Sequence, residues 1–212
     1  MDVRVSIVDY DMGNIHSIKN AVHSQGCDAE LVSTPKQIIE SKLLILPGVG
    51  AYRDAMNKLR NNNLDSALRE YVASGRPLLG ICLGMQLLFQ RSEENGGVDG
   101  LGLLEGCVKR FPSVEGYSIP QIQWNQVVSP SASKMLYGIS KNEYFYFLHS
   151  YFVSPSQEYS LIAKTNYCGM PFCSAIEVGN VWGAQFHPEK SARPGLKMLG
   201  NFLTQGEKYV NR

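Results

Sequence analysis

The chain has 212 residues, with 20 basic and 19 acidic side chains, four histidines and a formal charge of +1. At ~100–200 residues per domain, that length calls for one domain over residues 1–212. The balanced charge offers no basic face for nucleic acid or an anionic membrane, and no apolar run reaches the ~18 residues of a membrane helix.

In chain order, Val3–Tyr10 is β-rich and reads as a first strand rather than a signal peptide, because Asp2, Arg4 and Asp9 interrupt any leader pattern. Ile15–Ser24 has helical spacing, Ala29–Val32 is short and extended, and Pro35–Glu40 is helical. Leu43–Leu46 is wholly apolar and stops at Pro47-Gly48; helices follow over Ala51–Arg60 and Leu64–Ala73. Pro77–Leu79 is another apolar strand, and Leu83–Gln90 is predicted to be a helix. Continuous apolar strands separated by helices indicate a parallel sheet covered on both faces. Gly96–Gly102 is predicted to be a loop joining the two halves. Val108–Phe111, Trp124–Val128, Tyr144–Phe152, Leu161–Asn166, Phe172–Val178 and Val181–Phe186 then read as strands that add antiparallel pairs to the sheet. Pro194–Phe202 has the spacing of a closing helix. The fold class is α/β, a mainly parallel sheet flanked by helices with added antiparallel strands. Five scattered cysteines without a CxxC pair point to reduced thiols in a cytoplasmic protein, with no structural zinc site.

Gly80-Ile81-Cys82-Leu83-Gly84 follows one strand and opens the next helix. This is the glycine-flanked elbow of a nucleophile, with cysteine in the serine position. The turn places the thiol at a strand's carboxyl end and a helix N-terminus, where the dipole favours thiolate. A lone cysteine is more often a buried structural thiol; the strand–elbow–helix context favours the nucleophile. Of the four histidines, His16 and His23 fall on the first helix and read as surface residues, and His149 reads as a satisfied core histidine. His187 differs, because it ends an apolar strand and is followed by Pro188-Glu189. Proline biases the preceding residue towards extended backbone, so Glu189 is placed on the His187 side to orient the imidazole. Pro47-Gly48-Val49-Gly50, at the end of another strand, can turn backbone N–H groups into the crevice. The Val49 N–H and the Leu83 N–H are the candidate oxyanion donors, a plain tight βα turn being the alternative for the first.

With the elbow, the Pro47–Gly50 turn and Gln185-Phe186-His187-Pro188-Glu189-Lys190 in place, the sequence resembles the class I (triad) glutamine amidotransferases, a flavodoxin-like fold. Within them it is most similar to the HisH family, on Asp9-Tyr10 with Met12-Gly13-Asn14, Leu46–Gly50, Pro77–Phe89, Trp124-Asn125 and Phe145–Tyr151. The resemblance implies a glutaminase in which Cys82 attacks the glutamine amide, His187 protonates the departing ammonia and Glu189 completes the triad. It implies glutamine-binding roles for Gly48, Gly50 and Gln86 and for backbone groups of Ser150, Tyr151 and Phe152. It also implies a HisF-type (β/α)8 cyclase partner that uses the ammonia to make imidazole glycerol phosphate and AICAR in histidine biosynthesis. Asn14, Ile122, Trp124 and Lys190 are the expected partner face, and no cofactor or metal is expected. Gln121-Ile122-Gln123 and Asp11 depart from the family pattern at that face. These departures raise an alternative acceptor, a sugar amidotransferase of surface-polysaccharide synthesis. A non-catalytic scaffold and a partner-independent cysteine hydrolase are further alternatives.

Overall fold

The computed structural model describes residues 4–129, 133–156 and 161–210, without side chains for 161 and 205–210. Strands β1 (Val5–Val8), β3 (Leu44–Leu46), β4 (Leu78–Ile81) and β13 (Val181–Ala184) are buried at every position. With β2 (Ala29–Val32) they form a parallel block in the order β2-β1-β3-β4-β13. Their unbroken apolar runs reflect cover on both faces. One face packs on α1 (Ile15–Ser24) and α6 (Ala192–Val210), through Ile18, Val22, Met198, Leu199 and Phe202. The other packs on α2 (Pro35–Glu40), α3 (Tyr52–Asn61) and α4 (Leu64–Ala73), through Ile38, Met56, Leu59, Leu68 and Tyr71.

Beyond β13 the sheet turns antiparallel. β12 (Met170–Val178) pairs antiparallel with β13 and β10 (Tyr151–Pro155), and β10 with β7 (Leu104–Arg110). β5 (Phe89–Ser92) lies parallel to β7, with β6 (Val98–Asp99) at the edge. A branch leaves β12 through β11 (Leu161–Tyr167) and β8 (Gln121–Val128) to β9 (Asn142–His149).

Three expectations change. The helix expected over Leu83–Gln90 stops at Leu87, and Phe89–Ser92 is a strand; α5 (Leu83–Leu87) is only five residues, so its dipole is correspondingly small. The Gly96–Gly102 segment is no simple loop, because Val98–Asp99 pairs with β5. Tyr144–Phe152 is two strands that break at Ser150. The rest of the parallel/antiparallel division stands as read. The segments after β1, β3, β4 and β13 leave at the carboxyl ends of the parallel strands, the edge at which open α/β sheets bind ligands.

Candidate active site

Cys82 sits at φ 54° and ψ −112°, a region that non-glycine residues rarely occupy, between β4 and α5. The strain is held from both sides: its N–H donates to the Ala184 carbonyl at 2.7 Å and its carbonyl accepts from Gln86 N–H at 3.2 Å. The flanking glycines are a packing necessity. A Cβ on Gly80 would come within 2.8 Å of the Met85 backbone, and one on Gly84 would overlap the Leu46 carbonyl of β3. Gly84→Ala is therefore expected to destabilise the fold by about 3 kcal/mol or more, because both colliding groups are backbone. Chemical denaturation measures it, and a loss below ~1 kcal/mol would contradict the elbow packing.

His187 lies three residues past the end of β13. Its backbone N–H donates to the Tyr146 carbonyl at 2.9 Å, and the Ser191 hydroxyl donates to its backbone carbonyl at 2.6 Å while accepting from Tyr146 N–H at 3.0 Å. Ser191 thus ties the histidine backbone to β9. Pro188–Lys190 is a 3-10 turn rather than extended chain, with Pro188 at its first position. The tight turn nonetheless brings Glu189 Oε1 to 2.8 Å from His187 Nδ1, both side chains being almost wholly buried. With Nδ1 so engaged, Nε2 is the atom left for proton transfer, and it makes no other hydrogen bond among the described residues. Burial alone would lower the His187 pKa. The Cys82 sulfur and then the Glu189 carboxylate outweigh it and carry the value up to about 10, so the imidazolium is favoured while the sulfur carries negative charge.

A cavity of about 250 Å³ opens over these groups, lined by Val49, Gly50, Cys82, Leu83, Gln86, Glu94, Pro120, Leu148, His149, Ser150, Tyr151 and His187. Glu94, missed in the sequence, reaches this wall from the turn after β5 and accepts the Tyr52 N–H at 2.8 Å, the first N–H of α3. Gln86 donates through Nε2 to the Tyr151 carbonyl at 2.8 Å and to Gln185 Oε1 at 3.0 Å. Both amide protons are engaged, which leaves its oxygen as the group offered to a ligand. Gly48 does not line the cavity; it packs beneath the elbow, where a Cβ would meet Gly84 N at 2.7 Å. The Phe152 ring packs on Phe111 with centroids 4.8 Å apart, and the role expected of Phe152 is one for its backbone. The Leu83 N–H opens α5 and has no acceptor within the helix. The Val49 N–H, by contrast, donates to the Met12 carbonyl at 3.1 Å and is not presented to the cavity.

His149 is buried as expected but is no satisfied core residue. Its Nδ1 meets the Tyr151 carbonyl at 2.7 Å, while Nε2 is buried with no partner. Burial pushes its pKa down to about 4, against the opposing Tyr151 hydrogen bond. The unfolded chain protonates this ring near its ordinary 6.5 and the folded chain only near 4. Stability attributable to it therefore falls as pH drops through that window, by roughly 3 kcal/mol in all. His149→Gln should flatten this acid limb, as urea melts at the two ends of the window will show.

At the expected partner face, β8 and β9 expose Ile122 (56%), Trp124 (47%) and Tyr144 (52%). Lys190 is exposed, with Nζ 5.8 Å from the Tyr146 ring centroid. Asn14 is half-buried at the start of α1. Among the described residues, no group of three acidic, histidine or cysteine side chains could hold a metal ion, and no helix is long and apolar enough to cross a membrane.

A strained cysteine elbow facing a Glu-anchored histidine at the carboxyl edge of a parallel sheet defines a class of enzyme, and residues 6–205 match the family glutamine amidotransferase class-I. The chain belongs to the class I glutamine amidotransferases. The similarity narrows further with the imidazole glycerol phosphate synthase subunit HisH of Moorella thermoacetica, 46% identical over 198 residues and 93% of each chain. The HisH of Aquifex aeolicus is 44% identical over 209 residues, 98% of this chain and 100% of its own. These relatives place the chain in the HisH family. The fold also superposes on PurLQS from Thermotoga maritima with a TM-score of 0.76, covering 97% of this chain and 99% of that one at 19% identity.

Proposed function

We propose that the chain is the glutaminase subunit of an imidazole glycerol phosphate synthase, acting as one glutamine amidotransferase domain in the cytoplasm. The observation that carries the reading is that Cys82 and His187 line one cavity, with Glu189 bonded to the far side of the His187 ring, in a chain that matches HisH proteins over nearly its whole length. Those relatives favour the histidine-pathway acceptor over the sugar acceptor raised by Gln121-Ile122-Gln123.

Glutamine enters with its side-chain amide towards the elbow. Glu94 and Gln86 line the cavity, and the Gln86 Oε1 and the Glu94 carboxylate serve as acceptors for the N–H groups of the glutamine. Cys82 Sγ bonds to the amide carbon, and the charge that develops on oxygen is met by the Leu83 N–H and by Val49 N–H once it leaves Met12. His187 gives its Nε2 proton to the departing nitrogen, the C–N bond breaks, and ammonia leaves a glutamyl thioester. Water then attacks with His187 taking its proton, and the C–S bond breaks to give glutamate and the thiolate. Glu189 holds the ring in register and offsets its positive charge throughout.

The ammonia passes to a HisF-type (β/α)8 cyclase, which forms imidazole glycerol phosphate and AICAR. The exposed Ile122, Trp124 and Tyr144 supply the apolar anchor of that contact. Mixing the chain with such a cyclase and its ribotide should yield imidazole glycerol phosphate from glutamine without added ammonia. Trp124→Ala should weaken the complex by ~30-fold in titration calorimetry. Glutamine-independent product formation, or Trp124→Ala binding at the parent affinity, would contradict this assignment.

A further inference from the structure

Gln185 is wholly buried between β13 and the catalytic histidine, and its amide is committed at both ends. Its Oε1 accepts from Gln86 Nε2 at 3.0 Å, and its Nε2 donates to Cys82 Sγ at 3.7 Å, within reach for sulfur. The orientation of this amide is not arbitrary. Gln86 Nε2 also meets the Tyr151 carbonyl, which can only accept, so that end of Gln86 must be its NH2 group. An NH2 group pointing at Gln185 requires the Gln185 oxygen there, and the Gln185 N–H must therefore face the sulfur. The same carbonyl receives His149 Nδ1 at 2.7 Å, which fixes the proton of that ring on Nδ1 and closes the chain of bonds on its far side.

Besides His187, the sulfur meets the Leu148 carbonyl at 3.7 Å. A thiol can donate to that oxygen; a thiolate cannot, and keeps the Gln185 N–H instead. We propose that Gln185 is a catalytic residue that supports the Cys82 thiolate by a side-chain hydrogen bond, with Gln86 and the Tyr151 carbonyl setting the direction of that bond. Gln86 then serves both the ligand, through Oε1, and the nucleophile, through Gln185. This rests on Cys82 being the nucleophile. The titratable groups around the sulfur are His187 and, behind it, Glu189, with Tyr10 from the loop after β1 and with His149 and Glu94 on the cavity wall.

The test is the rate at which iodoacetamide alkylates Cys82 across pH, read by peptide mass with Cys82→Ser as the blank, in the parent chain, Gln185→Met and Gln185→Asn. Methionine keeps the length and removes the donor; asparagine keeps the amide and withdraws it by one methylene. The pH of half-maximal reaction should rise by about one unit in Gln185→Met, the size of one weak hydrogen bond to a charged group, and by less in Gln185→Asn. A residue that only packs the core would lower the melting temperature and leave the half-point where it was. An unchanged half-point in either folded variant overturns the inference alone. A parent Cys82 that reacts no faster than an ordinary exposed thiol overturns the nucleophile reading, and the inference with it.

Discussion

Cys82→Ser is expected to abolish glutamine turnover, with a loss of ~10⁴-fold or more, while partner binding is unchanged. The size follows from the role. The sulfur is the atom that bonds to the substrate, and with Glu189 it carries the His187 pKa up to about 10 against burial. A hydroxyl in its place stays protonated, so the imidazole loses its charged neighbour and the substrate loses its nucleophile. The fold should survive, because the backbone bonds that hold the elbow, to Ala184 and Gln86, do not involve the side chain. The exposed β8–β9 face is likewise untouched. Calorimetry with the cyclase beside a glutamate assay separates the two outcomes; loss of both functions would mean that Cys82 is structural.

The second large effect concerns the Val49 donor. In the chain alone its N–H is held by Met12, which leaves the Leu83 N–H as the donor of the pair with no such engagement. Losing one oxyanion donor typically costs ~10²–10³ in rate. The isolated chain should therefore turn glutamine over slowly, and the cyclase with its ribotide should raise kcat by ~10²–10³. KM should move little, because a donor aimed at the developing oxyanion binds the transition state rather than the substrate. Full activity in isolation, or a gain confined to KM, would show that the Val49–Met12 bond does not limit the rate.

Much of this site was legible because its chemistry leaves marks in the sequence. Gly80 and Gly84 flank Cys82 since any side chain there would strike backbone, and apolar runs such as Leu44–Leu46 declare strands covered on both faces. His187 and Glu189 were paired correctly for an incomplete reason. The residues between them turn as a 3-10 helix, and the tight turn rather than an extended pleat brings Glu189 to Nδ1. Glu94 was illegible because it lies in a glycine-bordered turn with no periodicity, in a stretch to which the sequence reading assigned no element. The role of Gln185 was hidden differently: its partners, Gln86 and Cys82, are about a hundred positions away and meet it only once β13 pairs with β4. The direction of the Val49 peptide carries no sequence signal, because either orientation suits the same Pro-Gly-Val-Gly turn.

Treating the chain, with its cyclase present, with a glutamine analogue whose side-chain amide is replaced by an electrophilic ketone tests the central claim most directly. The expected result is one modification per chain, on Cys82, rising in step with the loss of glutamine turnover and prevented by glutamine. Modification at another residue, or full turnover retained after Cys82 is blocked, would contradict it.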